Sequence, residues 1–314
     1  MLELLQKRVV FVAGKGGVGR TTCTAALALA AARAGKRVLV AEIAEPTLQT
    51  YSPLAHCFGQ TLLTAHVRQV APGIDGVMLE PRRGMEIFLR EVFRSRPLVA
   101  LAMRSKALAR FVQAAPSLHE LGVFQHLLHL VDEARGVVSP VDDLTILDLP
   151  ATGHALALTG LPGIILRLVP AGPIATAMRA GQAIFNNPEL TAGVIVALPE
   201  TLPVSEALEL LEGMLNTGVP VGAMVINRMP VIHFAPGELA ALKALSSAGP
   251  VLGMRSVEKV SQSEACVRRL RSRTDLPVHL LNEVAGTGRA LVEALAVDIL
   301  EVEEPAGVSG EGAS

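Results

Sequence analysis

The sequence predicts an α/β fold with a doubly wound, mainly parallel sheet. Short apolar runs alternate along the chain with stretches in which apolar residues recur at helical spacing. Such alternation is typical of parallel strands joined by covering helices. Half of the residues are hydrophobic but only 3% are aromatic, and this mixture, rich in Ala, Val, Leu and Gly, suits buried strands under close-packed helices.

The individual elements follow from these runs in chain order. The predicted strands are Val9–Ala13, Val38–Ile43, Val77–Leu79, Leu144–Leu147, Val194–Leu198, Val221–Ile226 and Val278–Leu281. The predicted helices are Thr21–Ala34, Ser205–Asn216, Gly237–Ser246 and Gly288–Leu300. Residues 83–135 form a long insert, rich in Leu, Met, Phe and Arg, that is predicted to be helical. Residues 1–303 are therefore predicted as a single domain that includes the insert, and the small, polar residues 304–314 as a disordered tail.

Composition and charge argue against several classes of protein. The net charge is -1 and no basic block occurs, so no nucleic-acid partner is expected. The three cysteines lie far apart without CxxC spacing, which predicts neither a disulfide framework nor a zinc ribbon. No secretory signal precedes the first predicted strand, and proline and glycine interrupt the apolar residues 149–166. The expected location is cytoplasmic, peripheral to a membrane only through a partner.

The stretch GKGGVGRTT, residues 14–22, has the form of a phosphate-binding loop. It follows a predicted strand and opens a predicted helix, a context in which glycines let backbone N–H groups converge on phosphate oxygens. The residues expected to bind ATP or ADP are Gly14, Gly16, Gly17, Val18, Gly19, Arg20, Thr21 and Thr22. The Thr21 hydroxyl is expected to bind Mg²⁺, and Thr22 is expected to lie near the α-phosphate. The loop between a strand and a helix predicts the fold of a P-loop NTPase.

The early lysine of this loop, Lys15, makes it resemble the deviant Walker A pattern K-G-G-x-G-K-T. That pattern marks a group of P-loop ATPases that includes MinD, ParA, nitrogenase iron protein and ArsA. In the group, the early lysine reaches across a dimer to the partner's nucleotide. The resemblance therefore implies a dimer and a catalytic role for Lys15.

Further stretches resemble the ArsA branch, which includes the arsenite-efflux ATPases and the ATPase that targets tail-anchored membrane proteins. ILDLPATGH, residues 146–154, is similar to the branch's second switch, D-x-x-x-T-G-H. Residues 196–229 are similar to a segment with a Pro-Glu turn, a helix, and a strand ending in Asn-Arg, and APSLHEL, residues 115–121, is similar to a motif of the branch's helical insert. The resemblance covers roughly residues 7–297.

The resemblance implies roles for particular residues in these stretches. Asp148 would hold Mg²⁺ through water, and His154 would lie near the nucleotide in a switch role. Asn227, followed by Arg228, matches an asparagine that reads adenine, because its amide offers both a donor and an acceptor to the base.

Two departures from the family pattern predict weak hydrolysis. Arg20 replaces the lysine that serves the β- and γ-phosphates, and loss of one well-placed donor typically costs about 10²–10³ in rate. The family's S-T-D-P-A-H first switch is absent, and either Glu45 or Glu42 replaces its water-orienting aspartate. The longer side chain would displace the carboxylate by about 1.5 Å, and misplacement of that order can cost about 100-fold.

These observations favour an ATP-binding, dimeric, ArsA-type ATPase with slow turnover, coupled to a client or membrane partner. The alternative is a non-hydrolytic regulatory subunit that forms a heterodimer with an active paralogous ATPase. A positioning ATPase of the ParA or MinD kind fits the loop but not residues 146–154 or 196–229.

The insert at residues 83–135 has two interpretations. Apolar residues at helical spacing either pack inward as covering helices or form a groove for a hydrophobic client or membrane protein. The helical face in question comprises Met85, Phe88, Leu89, Val92 and Phe93. His126 and His129, at i and i+3, leave open a metal site on one helix face.

Overall fold

The computed structural model describes residues 1–44, 51–92, 116–133, 143–150, 152–231, 235–246 and 254–301. Its strands are β1 (Val9–Gly14), β2 (Val38–Ile43), β3 (Arg68–Ala71), β4 (Ile74–Leu79), β5 (Leu144–Asp148), β6 (Thr191–Ala197), β7 (Val221–Met229) and β8 (Val278–Asn282). They form one eight-stranded sheet in the order β3-β4-β2-β5-β1-β6-β7-β8. Every neighbouring pair is parallel except β3 and β4. The predicted fold class is confirmed.

The sequence pattern did not indicate β3. This strand, with the sequence RQVA, lies at the edge of the sheet, and only Val70 in it is buried. It pairs antiparallel with β4 through a tight turn in which Gly73 has φ +73°. An exposed edge strand lacks the continuous apolar run that identifies a central parallel strand.

The helices lie on both faces of the sheet. Their bounds are α1 (Leu2–Leu5), α2 (Arg20–Arg33), α3 (Pro53–Cys57), α4 (Pro81–Val92), α5 (Pro116–Glu133), α6 (Thr152–Leu168), α7 (Pro173–Phe185), α8 (Thr201–Thr217), α9 (Pro236–Ser246), α10 (Met254–Arg271) and α11 (Gly288–Glu301). The sequence pattern did not indicate α6, because Pro162 and several glycines interrupt it, yet the helix runs through Pro162. Within the described residues, no helix has the length and apolarity needed to cross a membrane.

Alternate residues of each strand enter two separate cores. Val10, Val40 and Ile146 pack in the core beneath α2, α3 and α11. Phe11 and Leu147 pack in the core beneath α5, α6, α7 and α8. The same alternation places Glu42, Asp148 and Asn227, at the carboxyl ends of their strands, on the α2 face. Asp148 and Asn227 thus lie near the start of α2, and Glu42 is opposite Asp148 on the neighbouring strand.

The described part of the insert packs inward. Helices α4 and α5 cross so closely that a Cβ on Gly84 would overlap the backbone carbonyl of Gly122. Met85 and Phe88 are buried, and Leu89 packs against the same core. The covering interpretation therefore fits these residues. The structure does not describe residues 93–115, which include Phe93, or residues 134–135. The predicted tail also lies outside the described residues.

Candidate functional site

The predicted phosphate loop joins the end of β1 to the start of α2. Gly17 and Gly19 have φ of +85° and +90°, a conformation that side chains with a Cβ rarely adopt. A Cβ on Gly14 would lie 2.5 Å from the carbonyl oxygen of Val196, and one on Gly19 would overlap the Asn227 amide. Gly16 and Gly17 face open space. The result is an exposed loop of backbone groups at a helix N-terminus, a geometry suited to an anion.

Thr21 and Asp148 meet beneath this loop. The Thr21 hydroxyl donates a 2.6 Å hydrogen bond to Oδ2 of Asp148, which is only 8% exposed. The other carboxylate oxygen, Oδ1, is buried and has no hydrogen-bond partner among the described residues. Burial raises the pKa of Asp148 to about 6, against the opposing effects of the Thr21 hydrogen bond and the Arg20 charge. An oxygen pair with an unsatisfied carboxylate oxygen fits a hard cation such as Mg²⁺.

Arg20 is directed toward the strand that carries Asp148. Its guanidinium donates a hydrogen bond to the backbone carbonyl of Leu149, the residue after Asp148. The contact joins the first residue of α2 to the segment that resembles the second switch. The sequence does not indicate this contact, because its acceptor is a backbone carbonyl and carries no residue signature.

Lys15 forms an ion pair with Glu206 of α8, with Nζ 2.9 Å from Oε1. The Lys15 side chain is 51% exposed. Ion pairs this exposed contribute about 0–1 kcal/mol, so another anion can replace Glu206 at little cost. Sequence inspection did not indicate Glu206, although it lies within the segment that resembles the family.

Asn227 connects β7 to the phosphate loop. Its Nδ2 donates to the carbonyl of Val18 at 2.9 Å, and its Oδ1 accepts from the backbone N–H of Arg228 at 2.9 Å. The side chain is 4% exposed and retains one N–H and one lone pair that a base edge would engage. The predicted contact of Asn227 with adenine remains a prediction.

Arg228 adopts φ +57° and is exposed. It lines a cavity of about 550 Å³ on the face of the sheet covered by α8 and α10. The lining also includes Glu200, Thr201, Lys259 and Ser263.

Of the two glutamates proposed for the first switch, the structure describes only Glu42. Glu42 ends β2, and its Oε2 accepts from the Ser52 hydroxyl at 2.6 Å and from the Leu54 N–H at 3.1 Å. Glu45 lies outside the described residues.

Thr22 lies in the first turn of α2 and is half-buried. Residue 154 lies in α6, but its side chain is outside the described part, so the role of His154 stays a prediction.

Soft-metal chemistry has little support in the described residues. They contain no group of three or more His, Cys, Asp or Glu side chains placed to hold a metal. Burial raises the pKa of the Cys23 thiol to about 12 and that of Cys57 to about 11, which keeps both protonated. His126 is buried, accepts from the Glu80 N–H at 3.1 Å, and has its pKa lowered to about 4, mainly by burial. It packs as a neutral imidazole.

Comparison with known proteins gives consistent matches. The sequence pattern of the anion-transporting ATPases matches residues 7–170. ATPase BagA of Mycobacterium tuberculosis is 27% identical over 239 residues, 74% of this chain and 68% of that protein. An arsenical pump-driving ATPase of Escherichia coli is 26% identical over 283 residues, 88% of this chain but 42% of the relative. An ATPase ASNA1 homolog of Entamoeba dispar is 21% identical over 260 residues, 70% of this chain and 76% of that protein.

Proposed function

The chain belongs to the anion-transporting, ArsA-type ATPase family, and from this premise we propose that it binds MgATP and hydrolyses it slowly as a dimer. The proposed phosphate site is residues 14–22. The proposed magnesium ligands are Thr21 and, through water, Asp148. Bound Mg²⁺ would neutralise charge on the β- and γ-phosphates.

One observation carries the binding proposal. The Thr21 hydroxyl and the Asp148 carboxylate lie 2.6 Å apart below the glycine loop, and Oδ1 of Asp148 has no protein partner among the described residues. Leaving such an oxygen buried costs about 1–3 kcal/mol or more. A cation beside it would relieve that penalty, while the loop amides would hold the phosphates.

Slow turnover is proposed because of Arg20. The hydrogen bond from its guanidinium to the Leu149 carbonyl competes with any contact to a phosphate. Arginine is also planar and bulkier than the compact ammonium of lysine. Transition-state stabilisation at the γ-phosphate is therefore expected to be weak, whereas ground-state binding depends mainly on backbone groups and Mg²⁺.

The dimer is proposed because Lys15 is accessible. Its side chain is half-exposed, and among the described residues its ion-pair partner is Glu206, in a weak pair. A second subunit that brings its nucleotide to this face would offer Lys15 phosphate oxygens in place of one carboxylate. Both subunits of a homodimer would make the same exchange.

A second candidate function is a non-hydrolytic regulatory subunit. Arg20 and the missing Asp-Pro switch favour it. Such a subunit would form a heterodimer with an active paralogous ATPase and provide Lys15 to that partner's site. The family resemblance implies, in either case, a hydrophobic segment or membrane protein as the client, bound at the insert of residues 83–135.

The binding proposal is tested by titrating the protein with a fluorescent ATP analogue, with and without Mg²⁺. The chain has no Trp, so the reporter is placed on the nucleotide. We expect saturable binding that weakens on removal of Mg²⁺ and in Asp148→Asn. Asp275→Asn, at an exposed aspartate, is the matched control. Binding that is absent in the wild type, or equal in both variants, would contradict the proposed site.

A further inference from the structure

Glu42 holds the start of α3 against the end of β2. One carboxylate oxygen accepts from the Ser52 hydroxyl at 2.6 Å and from the Leu54 N–H at 3.1 Å. Ser52 in turn is the N-cap of α3, where its hydroxyl oxygen accepts from the Ala55 N–H at 3.0 Å. Ser52 and Leu54 are fully buried, so loss of the carboxylate would leave two buried donors without a partner.

The backbone of Glu42 is fixed by strand pairing on both sides. Glu42 is opposite Met78 of β4 and opposite Asp148 of β5 in the parallel register. Residues paired to two strands are among the last to open in a folded protein. The pairing therefore fixes the backbone that carries the Glu42 carboxylate.

Glu42 and Asp148 have separate partners although they lie on the same face of neighbouring strands. Asp148 accepts from Thr21 of α2, whereas Glu42 accepts from the start of α3. The two carboxylates are therefore directed to different helices. The contact between Glu42 and Ser52 also closes a loop in the chain, and the Glu45-Pro46 pair lies within that loop in sequence.

From this geometry we infer that Glu42 is a positioning residue, which fixes Ser52 and the start of α3, and not the carboxylate that orients water. The inference deepens the proposed function and rests on it. Glu42 acts on the reaction through its hold on Ser52 and Leu54 at the start of α3. Its charge is not required at the nucleotide, and any side chain that presents a similar acceptor oxygen should serve.

The test combines amide hydrogen exchange with nucleotide kinetics on Glu42→Ala and Glu42→Gln. In nucleotide-free protein, Glu42→Ala should speed exchange at Leu54 and Ala55 by about 10- to 100-fold, as expected for a lost charge-assisted hydrogen bond. Glu42→Gln should restore most of the protection. Turnover should fall about 10- to 100-fold in the alanine variant with nucleotide affinity within about twofold, and recover in the glutamine variant. Glu258→Ala, at an exposed helical position, is the control.

Two outcomes would overturn the inference. Unchanged exchange at Leu54 and Ala55 in Glu42→Ala would show that the carboxylate does not hold α3. Equal loss of turnover in the alanine and glutamine variants, with exchange protected only in the latter, would show that the charge itself acts on the reaction. A wild-type protein that binds MgATP without releasing phosphate would contradict the proposed hydrolysis alone, and the exchange comparison would still decide whether Glu42 fixes α3.

Discussion

Asp148 is a buried carboxylate that holds its proton to a higher pH than an exposed aspartate does. Burial raises its pKa from 3.8 to about 6, even though Thr21 and Arg20 act in the opposite direction. Between these two values the unfolded chain has lost the proton while the folded protein retains it. The contribution of Asp148 to stability is therefore complete below pH 4 and disappears as the pH rises through about 6.

We expect metal-free wild-type protein to lose on the order of 2 to 3 kcal/mol of stability, relative to Asp148→Asn, between pH 4 and pH 7. Urea unfolding of both proteins at the two pH values measures this difference, in which the other titrating groups cancel. Mg²⁺ at pH 7 should stabilise the wild type more than the variant. Parallel pH dependences for the two proteins would show that Asp148 is not buried as described.

Glycine positions determine how the elements approach one another. The crossing of α4 and α5 requires the absence of a side chain at both contact points, because a Cβ on Gly122 would overlap the backbone of Pro81. Backbone atoms cannot move aside as a flexible side chain can. Gly163 in α6, by contrast, has nothing within 4 Å of a Cβ position.

Gly122→Ala is expected to destabilise the protein by about 1–3 kcal/mol, since the two helices must separate. Gly163→Ala is the matched control and should be neutral or stabilising by about 0.5–1 kcal/mol, because alanine restricts the unfolded chain and favours a helix. Urea unfolding measures both changes. A Gly122→Ala protein as stable as the wild type would contradict the close crossing.

The sequence was sufficient to predict the central elements but not the contacts that join them. Buried parallel strands such as β1 and β5 are continuous apolar runs, and the glycine loop has a fixed spacing, so both are visible in the sequence. The hydrogen bond from Arg20 ends on the backbone carbonyl of Leu149, and the one from Ser52 joins two side chains that only the fold brings together. No residue pattern encodes such contacts. The proline within α6 shows that tertiary packing also overrides a local helix signal.

At the scale of the whole molecule, the proposed role of Lys15 requires two subunits. Lys15 lies on the surface with only Glu206 as its ion-pair partner in the described residues. We expect ATP and Mg²⁺ to shift the protein from monomer to dimer in sedimentation velocity. In Lys15→Ala, the ATP concentration needed for this shift should rise by about tenfold or more. Lys259→Ala, at another half-exposed paired lysine, is the control. An ATP-independent oligomeric state in the wild type would contradict the proposed role of Lys15.

Phosphate release from MgATP by wild type and Arg20→Lys, measured at saturating nucleotide, tests the role of Arg20 most directly. We expect comparable MgATP affinity in the two proteins, and turnover about 10²–10³-fold faster in the lysine variant, because a compact ammonium restores stabilisation of the transferred phosphoryl group. Fast turnover in the wild type, or turnover that falls on substitution by lysine, would contradict the claim that Arg20 makes this member of the family a slow ATPase.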